Sequence, residues 1–561
     1  MEKILNNYNR WIEHVKEADV LKELESIRGN EEEISDRFYR ELEFGTGGLR
    51  GVIGAGSYRM NVYTVAKATQ GYSNYLNKQL KQDHKPSVAI AFDSRNKSEV
   101  FAMTAAGVFA ANGIQVHIYQ ELMPTPALSY AVRALRCDGG IVVTASHNPA
   151  KYNGYKVYGA DGCQITLGVA EAILNEIENV DVFDDVKQMD FEEGCADGSI
   201  SLIHEDIVSG FIDAVSERAM NPNEIDKNVS IVYTPLNGTG RYPVTRCLHE
   251  NGYTQITIPA EQEMPDGNFT TCPYPNPEIR EALEVGLNKA KEVGSDLLLA
   301  TDPDCDRVGV AVKDGADYKL ISGNQMGILL FDYICKIHGE NGTMPDNPVV
   351  VTTIVSTRMI DRIAADYGVE VRRVLTGFKF IGEQIGFLEA KGEQDRYIFG
   401  FEESYGYLSG GHVRDKDGVN ASLLICEMFA YYKAKGRSLI DVLNALYEKY
   451  GYFKEALQSI TFEGASGAKK MSGLMDGLRG NPPAEIAGYR LLGTKDYAVG
   501  IDGLPKSNVL EFNLEHDVNV LVRPSGTEPK IKMYYLVKGD SDAEGGNMIS
   551  SLEEYFTQVC R

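Results

Sequence analysis

The sequence predicts an α/β protein: three similar α/β domains with mixed, mostly parallel sheets, followed by a C-terminal α+β domain, set around a central cleft. Three observations carry this. Short apolar, β-branched runs alternate with helical patterns from about residue 86 to 144, and the alternation recurs twice downstream. In each of the three units one such run ends abruptly in a polar loop of unusual composition: Ser146-His147-Asn148-Pro149, Asp302-Pro303-Asp304-Cys305-Asp306-Arg307, and Gly400-Phe401-Glu402-Glu403-Ser404. The final stretch differs, with an apolar run at 518–522, a turn, a second run at 531–537 and a helical pattern from Ala543 onward.

Taken in order, 88–92, 114–119 and 141–143 read as strands, with helices at 99–112 and 127–135 between them. Parallel strands need such crossovers. The second unit has strands at 229–233, 255–258 and 296–300, and the third at 349–351, 369–371 and 397–399. A helical stretch ends near Tyr450, and the Gly/Ser/Pro-rich segment 464–483 reads as a connection. The resulting division is 1–205, 206–322, 323–463 and 464–561. Ligands of open α/β sheets sit beyond the carboxyl ends of the strands, so the three polar loops are expected to face one cleft.

Composition narrows the function. With 561 residues, 43% hydrophobic and 24% charged, the chain has material for several globular cores. The 80 acidic and 56 basic residues give a net charge of −24, which argues against nucleic-acid or anionic-membrane partners, so an anionic ligand must be held by local cations. The nine cysteines are scattered without a Cys-x-x-Cys pair, suggesting neither a disulfide framework nor a zinc site. The N-terminus turns polar before a signal-peptide core can form, and no run approaches the ~18 apolar residues of a membrane span, so a cytoplasmic protein is expected.

Ser146 stands at a strand end with His147, Lys151 and Lys156 close by in sequence, an electropositive setting for a phosphorylated hydroxyl. It is not a hydrolase elbow, because Thr144 and Asn148 occupy the places of the two glycines. Asp302, Asp304 and Asp306 would repel one another unless a cation were bound. An EF-hand is excluded because its sixth and twelfth positions are Arg307 and Lys313, and the hard oxygen set favours Mg²⁺.

The run Arg523-Pro524-Ser525-Gly526-Thr527-Glu528-Pro529-Lys530 offers a guanidinium, two hydroxyls, glycine-flanked amides and an ammonium, the parts of a phosphate clamp. The glycines of 45–51 lack both nucleotide-loop patterns and are better used to let Arg50 reach a ligand. Glu402 and Ser404 suit sugar hydroxyls, and Lys379 in Thr376-Gly377-Phe378-Lys379 is a further candidate.

These segments together resemble the α-D-phosphohexomutase superfamily, and within it the phosphoglucomutase branch with its phosphopentomutase-like relatives, from about Gly45 to Lys532. The resemblance implies interconversion of glucose 1-phosphate and glucose 6-phosphate through a phosphoserine and glucose 1,6-bisphosphate, with phosphopentomutase, phosphomannomutase or a noncatalytic sugar-phosphate sensor as alternatives. By motif, Ser146 is the phosphoserine. Asp302, Asp304 and Asp306 bind Mg²⁺ together with a phosphoserine oxygen. Arg307 stabilises the transferring group, His147 and Lys156 match positions for proton transfer or its support, and Arg50 lies near the attacking hydroxyl. Glu402 and Ser404 read the sugar, Lys379 assists, and Arg523, Ser525, Gly526, Thr527 and Lys530 hold the distal phosphate. Phe401 departs from the family's glycine, and its ring is expected to reshape the sugar pocket. The expected partners are small sugar phosphates, the expected state is a monomer or homodimer, and the C-terminal domain is the expected moving part.

Overall fold

The computed structural model describes residues 1–45, 47–79, 84–462, 467–525 and 530–560. Three α/β layers and a fourth, antiparallel sheet account for the architecture. The first sheet has the strand order Gly48–Val52, Tyr152–Gly159, Gly139–Val143, Ser87–Phe92, Gln115–Tyr119, Ile200–Ile203. Its last four strands run parallel, and the first two join antiparallel. Gly139–Val143 is buried throughout because helices cover both faces, which is why it reads as an unbroken apolar run.

The second sheet is ordered Asp317–Ile321, Val308–Asp314, Leu297–Thr301, Ile231–Thr234, Ile256–Thr257, and the third Glu370–Val374, Val349–Thr353, Tyr397–Glu402, Gly406–Leu408. Each mixes parallel and antiparallel neighbours. One apolar core runs through the second and third layers and reaches the first at Ala89, Val142 and Tyr158. That continuity fixes the loops at the strand ends relative to one another.

The fourth sheet is antiparallel throughout, ordered Tyr452–Thr461, Lys530–Gly539, Val518–Pro524, Leu510–Leu514, Tyr489–Asp496, Glu485–Ile486, with the helix Asp542–Val559 packed on it. Two sequence expectations change here. Tyr452–Thr461 pairs along its length with Lys530–Gly539, so the chain enters this sheet ahead of residue 464. The supposed connection 464–483 contains a helix, Gly467–Gly480: Met471, Leu474, Met475 and Leu478 recur at helical spacing and pack into the fourth core, outweighing the local glycines.

The N-terminal segment forms three helices, Glu2–His14, Ala18–Ser26 and Glu31–Phe38, closed around Trp11, which is 1% exposed. Among the glycines near Arg50, Gly48 is set by close backbone packing. Gly48, at φ 148°, lies so close to the Tyr155 carbonyl that a Cβ would come within 1.9 Å of it. Its bareness lets Gly48–Val52 pair with the strand that carries Lys156. Thr46, within the same glycine run, lies outside the described residues.

Candidate functional site

Ser146 follows the buried strand Gly139–Val143 in a tight turn, with φ at 52° in the left-handed region and its amide held by Thr144 Oγ1 at 2.8 Å. A non-glycine residue there is strained and persists only where its surroundings fix it. Its Oγ donates to Asp302 Oδ2 at 2.9 Å and lies 3.2 Å from His147 Nδ1. The first and second polar loops thus meet, as the sequence predicts.

Asp302, Asp304 and Asp306 are at most 1% exposed, and one carboxylate oxygen of each lies within 4.8 Å of the others. Asp302 Oδ1 accepts from the amides of Asp306 and Arg307 at 3.1 and 3.0 Å. Asp304 Oδ2 accepts from Lys156 Nζ at 2.7 Å and Thr125 Oγ1 at 2.9 Å. Lys416 Nζ stands 3.1 Å from Asp306 Oδ2. Asp304 Oδ1 and Asp306 Oδ1, both buried, have no hydrogen-bond partner among the described residues. Two orphaned carboxylate oxygens beside a third carboxylate fit a hard divalent cation such as Mg²⁺.

The electrostatics agree. Burial, then repulsion from Asp304 and Asp306, pushes the Asp302 carboxyl well above the usual carboxylate range. Burial acts on Asp304 in the same direction, but Lys156 outweighs it and holds that carboxyl low. Lys156 in turn is kept protonated, since Asp304 and Asp306 outweigh its burial.

Arg307 Nη1 lies 2.7 Å from His147 Nδ1 and 3.0 Å from Glu278 Oε1. Because a guanidinium only donates, His147 Nδ1 is the acceptor and Nε2 carries the ring proton. Burial, Arg307 and Arg50 push the imidazolium pKa well below its ordinary value, so the ring is neutral. Arg50 is exposed on the strand Gly48–Val52, and the surrounding protein, then Arg307, lower its pKa.

The third loop brings Glu402, 4% exposed, whose Oε1 accepts from the Gly377 amide at 2.7 Å, just ahead of Lys379 on the helix Phe378–Glu389. Burial raises the Glu402 carboxyl and Lys416 moderates the rise. Burial also lowers the Lys379 ammonium. Glu403 accepts from Thr353 Oγ1 at 2.9 Å, and burial followed by Glu402 pushes its pKa up to about 7. Ser404 is half-buried beside it.

Phe401 does not reshape a sugar pocket. It is 0% exposed, stacks on Phe399 and fills the space over Gly327, where a Cβ would approach its ring within 2.4 Å. Strand alternation sends Phe401 into the core and Glu402 the other way.

In the fourth domain Arg523 and Lys532 are register partners, and the Ser525 amide donates to the Lys530 carbonyl at 2.7 Å. Burial, Arg523 and Lys530 depress the Lys532 ammonium, while Glu278 and Glu403 act on it in the opposite direction, which sets this cationic strand end against the acidic rim of the other loops. Gly526 and Thr527 of the expected clamp lie outside the described residues.

Sequence reasoning missed Arg95, Thr125, Glu278 and Lys416. Asp93-Ser94-Arg95 follows directly on the strand Ser87–Phe92, a strand-end signal of the kind that flagged Ser146. Lys416 sits between two aspartates, Asp415 and Asp417, a charge pattern that marks a buried cation only once the fold is known.

The sequence matches the description "phosphoglucomutase/phosphomannomutase, alpha/beta/alpha domain I" over residues 41–182, domain II over 209–315 and domain III over 322–450. The chain belongs to the phosphoglucomutase/phosphomannomutase family, within the α-D-phosphohexomutase superfamily, and is a mutase. It is 34% identical over 538 residues to a phosphoglucomutase of Staphylococcus saprophyticus, covering 94% of this chain and 95% of that one. It is 35% identical over 546 residues to a phosphoglucomutase of Staphylococcus aureus, with the same coverage. A phosphoglucomutase/phosphomannomutase family protein from Burkholderia thailandensis has the same fold, at a TM-score of 0.68 and 20% identity over 92% of this chain and 96% of that one. So does the open form of parafusin from Paramecium, at a TM-score of 0.68 and 19% identity over 93% and 96%. Among the described residues no helix is long and apolar enough to cross a membrane.

Proposed function

We propose that the protein is a phosphoglucomutase that interconverts α-D-glucose 1-phosphate and glucose 6-phosphate, carrying a phosphoryl group on Ser146 and passing through bound glucose 1,6-bisphosphate. The observation that carries the reading is Ser146 Oγ at 2.9 Å from Asp302 Oδ2, beside a buried triad in which Asp304 Oδ1 and Asp306 Oδ1 have no hydrogen-bond partner among the described residues. Asp302, Asp304 and Asp306, with a phosphoserine oxygen, would hold Mg²⁺, which would offset the charge that develops on the transferring phosphoryl.

The chain's own groups divide the work. In the forward half-reaction the Oγ–P bond of phosphoserine breaks as a sugar hydroxyl forms the new O–P bond, and the hydroxyl's proton passes to a base in the cleft. Nδ1 of the neutral His147 ring, beside Oγ, can take a proton only when Arg307 turns from it to the phosphoryl oxygens, whereas Lys156, kept charged by Asp304, offers charge and a proton to give. Arg307, half withdrawn onto Glu278, can follow the phosphoryl oxygens. Arg50 faces the hydroxyl side, and Glu402, Ser404 and Lys379 read the sugar. Arg523, Ser525, Gly526, Thr527 and Lys530 hold the phosphate that is not reacting. The bisphosphate then turns over, and the other phosphate returns to Ser146. Movement of the C-terminal domain would open the cleft for that turn.

The proposal extends to a cytoplasmic monomer or homodimer acting on small sugar phosphates, without nucleic-acid or membrane partners. The net charge of −24 and the nine free thiols support it. A panel of glucose, mannose, glucosamine, ribose and deoxyribose 1-phosphates, with and without glucose 1,6-bisphosphate, tests it. Fastest turnover of glucose 1-phosphate, stimulated by the bisphosphate, is expected, and a clear preference for a pentose phosphate would overturn it.

A further inference from the structure

The turn that presents Ser146 is held from behind by one side chain that the reaction scheme does not use. Arg95 is 3% exposed, and its Nη1 donates to the carbonyls of Pro149 and Tyr152, each at 3.1 Å, while Nη2 donates to those of Ser146 and Asn148. Four carbonyls of the loop 146–152 therefore converge on a single guanidinium. Inward-turned carbonyls must find donors, and only a planar fork of N–H groups can serve four of them at once; an ammonium offers three donors with no fixed fork.

Arg95 is itself fixed at its base. Asp93 pairs with its Nε at 3.3 Å, and Asp93 Oδ1 accepts from the Arg95 amide at 2.9 Å and from Ser98 Oγ at 2.7 Å. The Phe269 ring of the second domain lies 5.0 Å from the guanidinium carbon, and Asn96 Nδ2 donates to Asn268 Oδ1 at 2.9 Å. The same short segment thus grips the serine loop of the first domain and leans on the domain that carries the aspartates. The left-handed φ of 52° at Ser146 and its contact with Asp302 lie between these two anchors.

We infer that Arg95 is a positioning residue for phosphoryl transfer. It holds Ser146 Oγ in register with the aspartate triad across the domain boundary and makes no contact with the sugar. The inference rests on Ser146 being the phosphoryl carrier. A displacement of about 1 Å at a reacting atom costs on the order of 10²-fold in rate, so the effect should fall on turnover and on loading of the serine, and not on sugar-phosphate affinity.

The test follows transfer of isotopically labelled phosphate from glucose 1,6-bisphosphate onto the full-length protein. In this step the O–P bond of the bisphosphate breaks as Oγ–P forms, and the serine proton leaves with the sugar oxygen. Wild type, Arg95→Lys and Arg95→Ala are compared, the last also with added methylguanidinium, alongside glucose 6-phosphate affinity by calorimetry and the thermal midpoint. Expected are loading and kcat roughly 10²-fold lower in Arg95→Lys, affinity for glucose 6-phosphate within about threefold of wild type, and partial recovery of Arg95→Ala by methylguanidinium but not by methylammonium. Loading of Arg95→Lys at the wild-type rate would overturn the inference. So would equal losses of affinity and turnover, or the unfolding of both variants, since each assigns Arg95 to folding alone. A wild type that never labels at Ser146 would instead overturn the carrier reading itself.

Discussion

Replacing Asp304 with Asn separates the cation's contribution from that of the lysine beside it. In the absence of a cation two effects oppose each other. The substitution removes the carboxylate that Lys156 Nζ contacts at 2.7 Å, although Asp306 Oδ2 remains 3.5 Å away, and it relieves the repulsion that drives the Asp302 carboxyl up. Breaking a buried pair costs about 3–5 kcal/mol when nothing compensates. Here a second carboxylate and the lost repulsion both compensate, so in excess chelator the variant should melt within about 3 °C of wild type.

With Mg²⁺ the balance changes. A cation at 100 times its Kd stabilises the folded state by about 2.7 kcal/mol, which for a domain of roughly 150–250 residues raises the midpoint by about 5–10 °C. Wild type should show that rise, and Asp304→Asn, with one of its buried oxygen ligands made neutral, most of it missing. Turnover should fall at least ~10²-fold. Scanning fluorimetry in Mg²⁺ and in chelator, paired with initial rates, reads both effects. Equal Mg²⁺-induced rises in the two proteins, or full activity of the variant, would refute the assignment of the triad as the metal site.

Three further variants have distinct expected outcomes. If Arg307 acts on charge that develops during transfer, as proposed, Arg307→Ala should depress kcat far more than it changes KM, while Arg523→Ala should chiefly raise KM and release more free glucose 1,6-bisphosphate during turnover; an Arg523→Ala variant that leaks no more than wild type and loses only kcat would remove the clamp from the fourth domain. Glu455, on the strand Tyr452–Thr461, has its pKa pushed by burial from the ordinary 4.5 to about 7. The native state thus favours its neutral form, a stabilisation that is complete below about pH 4.5 and lost as pH rises through 7, at no more than ~1.4 kcal/mol per pH unit. Glu455→Gln should flatten the fall in stability between about pH 5 and 8 measured by denaturant titration, and an unchanged slope would contradict it.

What was legible in the sequence follows from what each feature needs. Strand-end loops of chemically dense residues announce themselves, because Ser146 and the three aspartates follow apolar runs whose burial on both faces leaves a plain signature. The partners supplied from elsewhere do not. Glu278 reaches Arg307 from a loop with no regular pattern, Thr125 reaches Asp304 from a helix start, and Lys416 reaches Asp306 from a run of alternating charges that reads as solvated surface. Phe401 was misleading for a related reason. A residue next to the glutamate proposed to read the sugar looks like pocket wall until strand alternation turns its ring into the core beside Gly327. In the helix Gly467–Gly480 the glycines masked an apolar stripe that only the fourth sheet makes meaningful.

The central claim is that Ser146 carries the phosphoryl group, and its most direct measurement is intact-mass analysis with peptide mapping of the active protein, repeated on Ser146→Ala. The expected result is a fraction of the protein heavier by one phosphate, mapped to the peptide containing Ser146, exchanged on incubation with glucose 1,6-bisphosphate, and absent from a Ser146→Ala variant whose turnover has collapsed. Fully active protein without covalent phosphate during turnover, or Ser146→Ala at wild-type turnover, would contradict it.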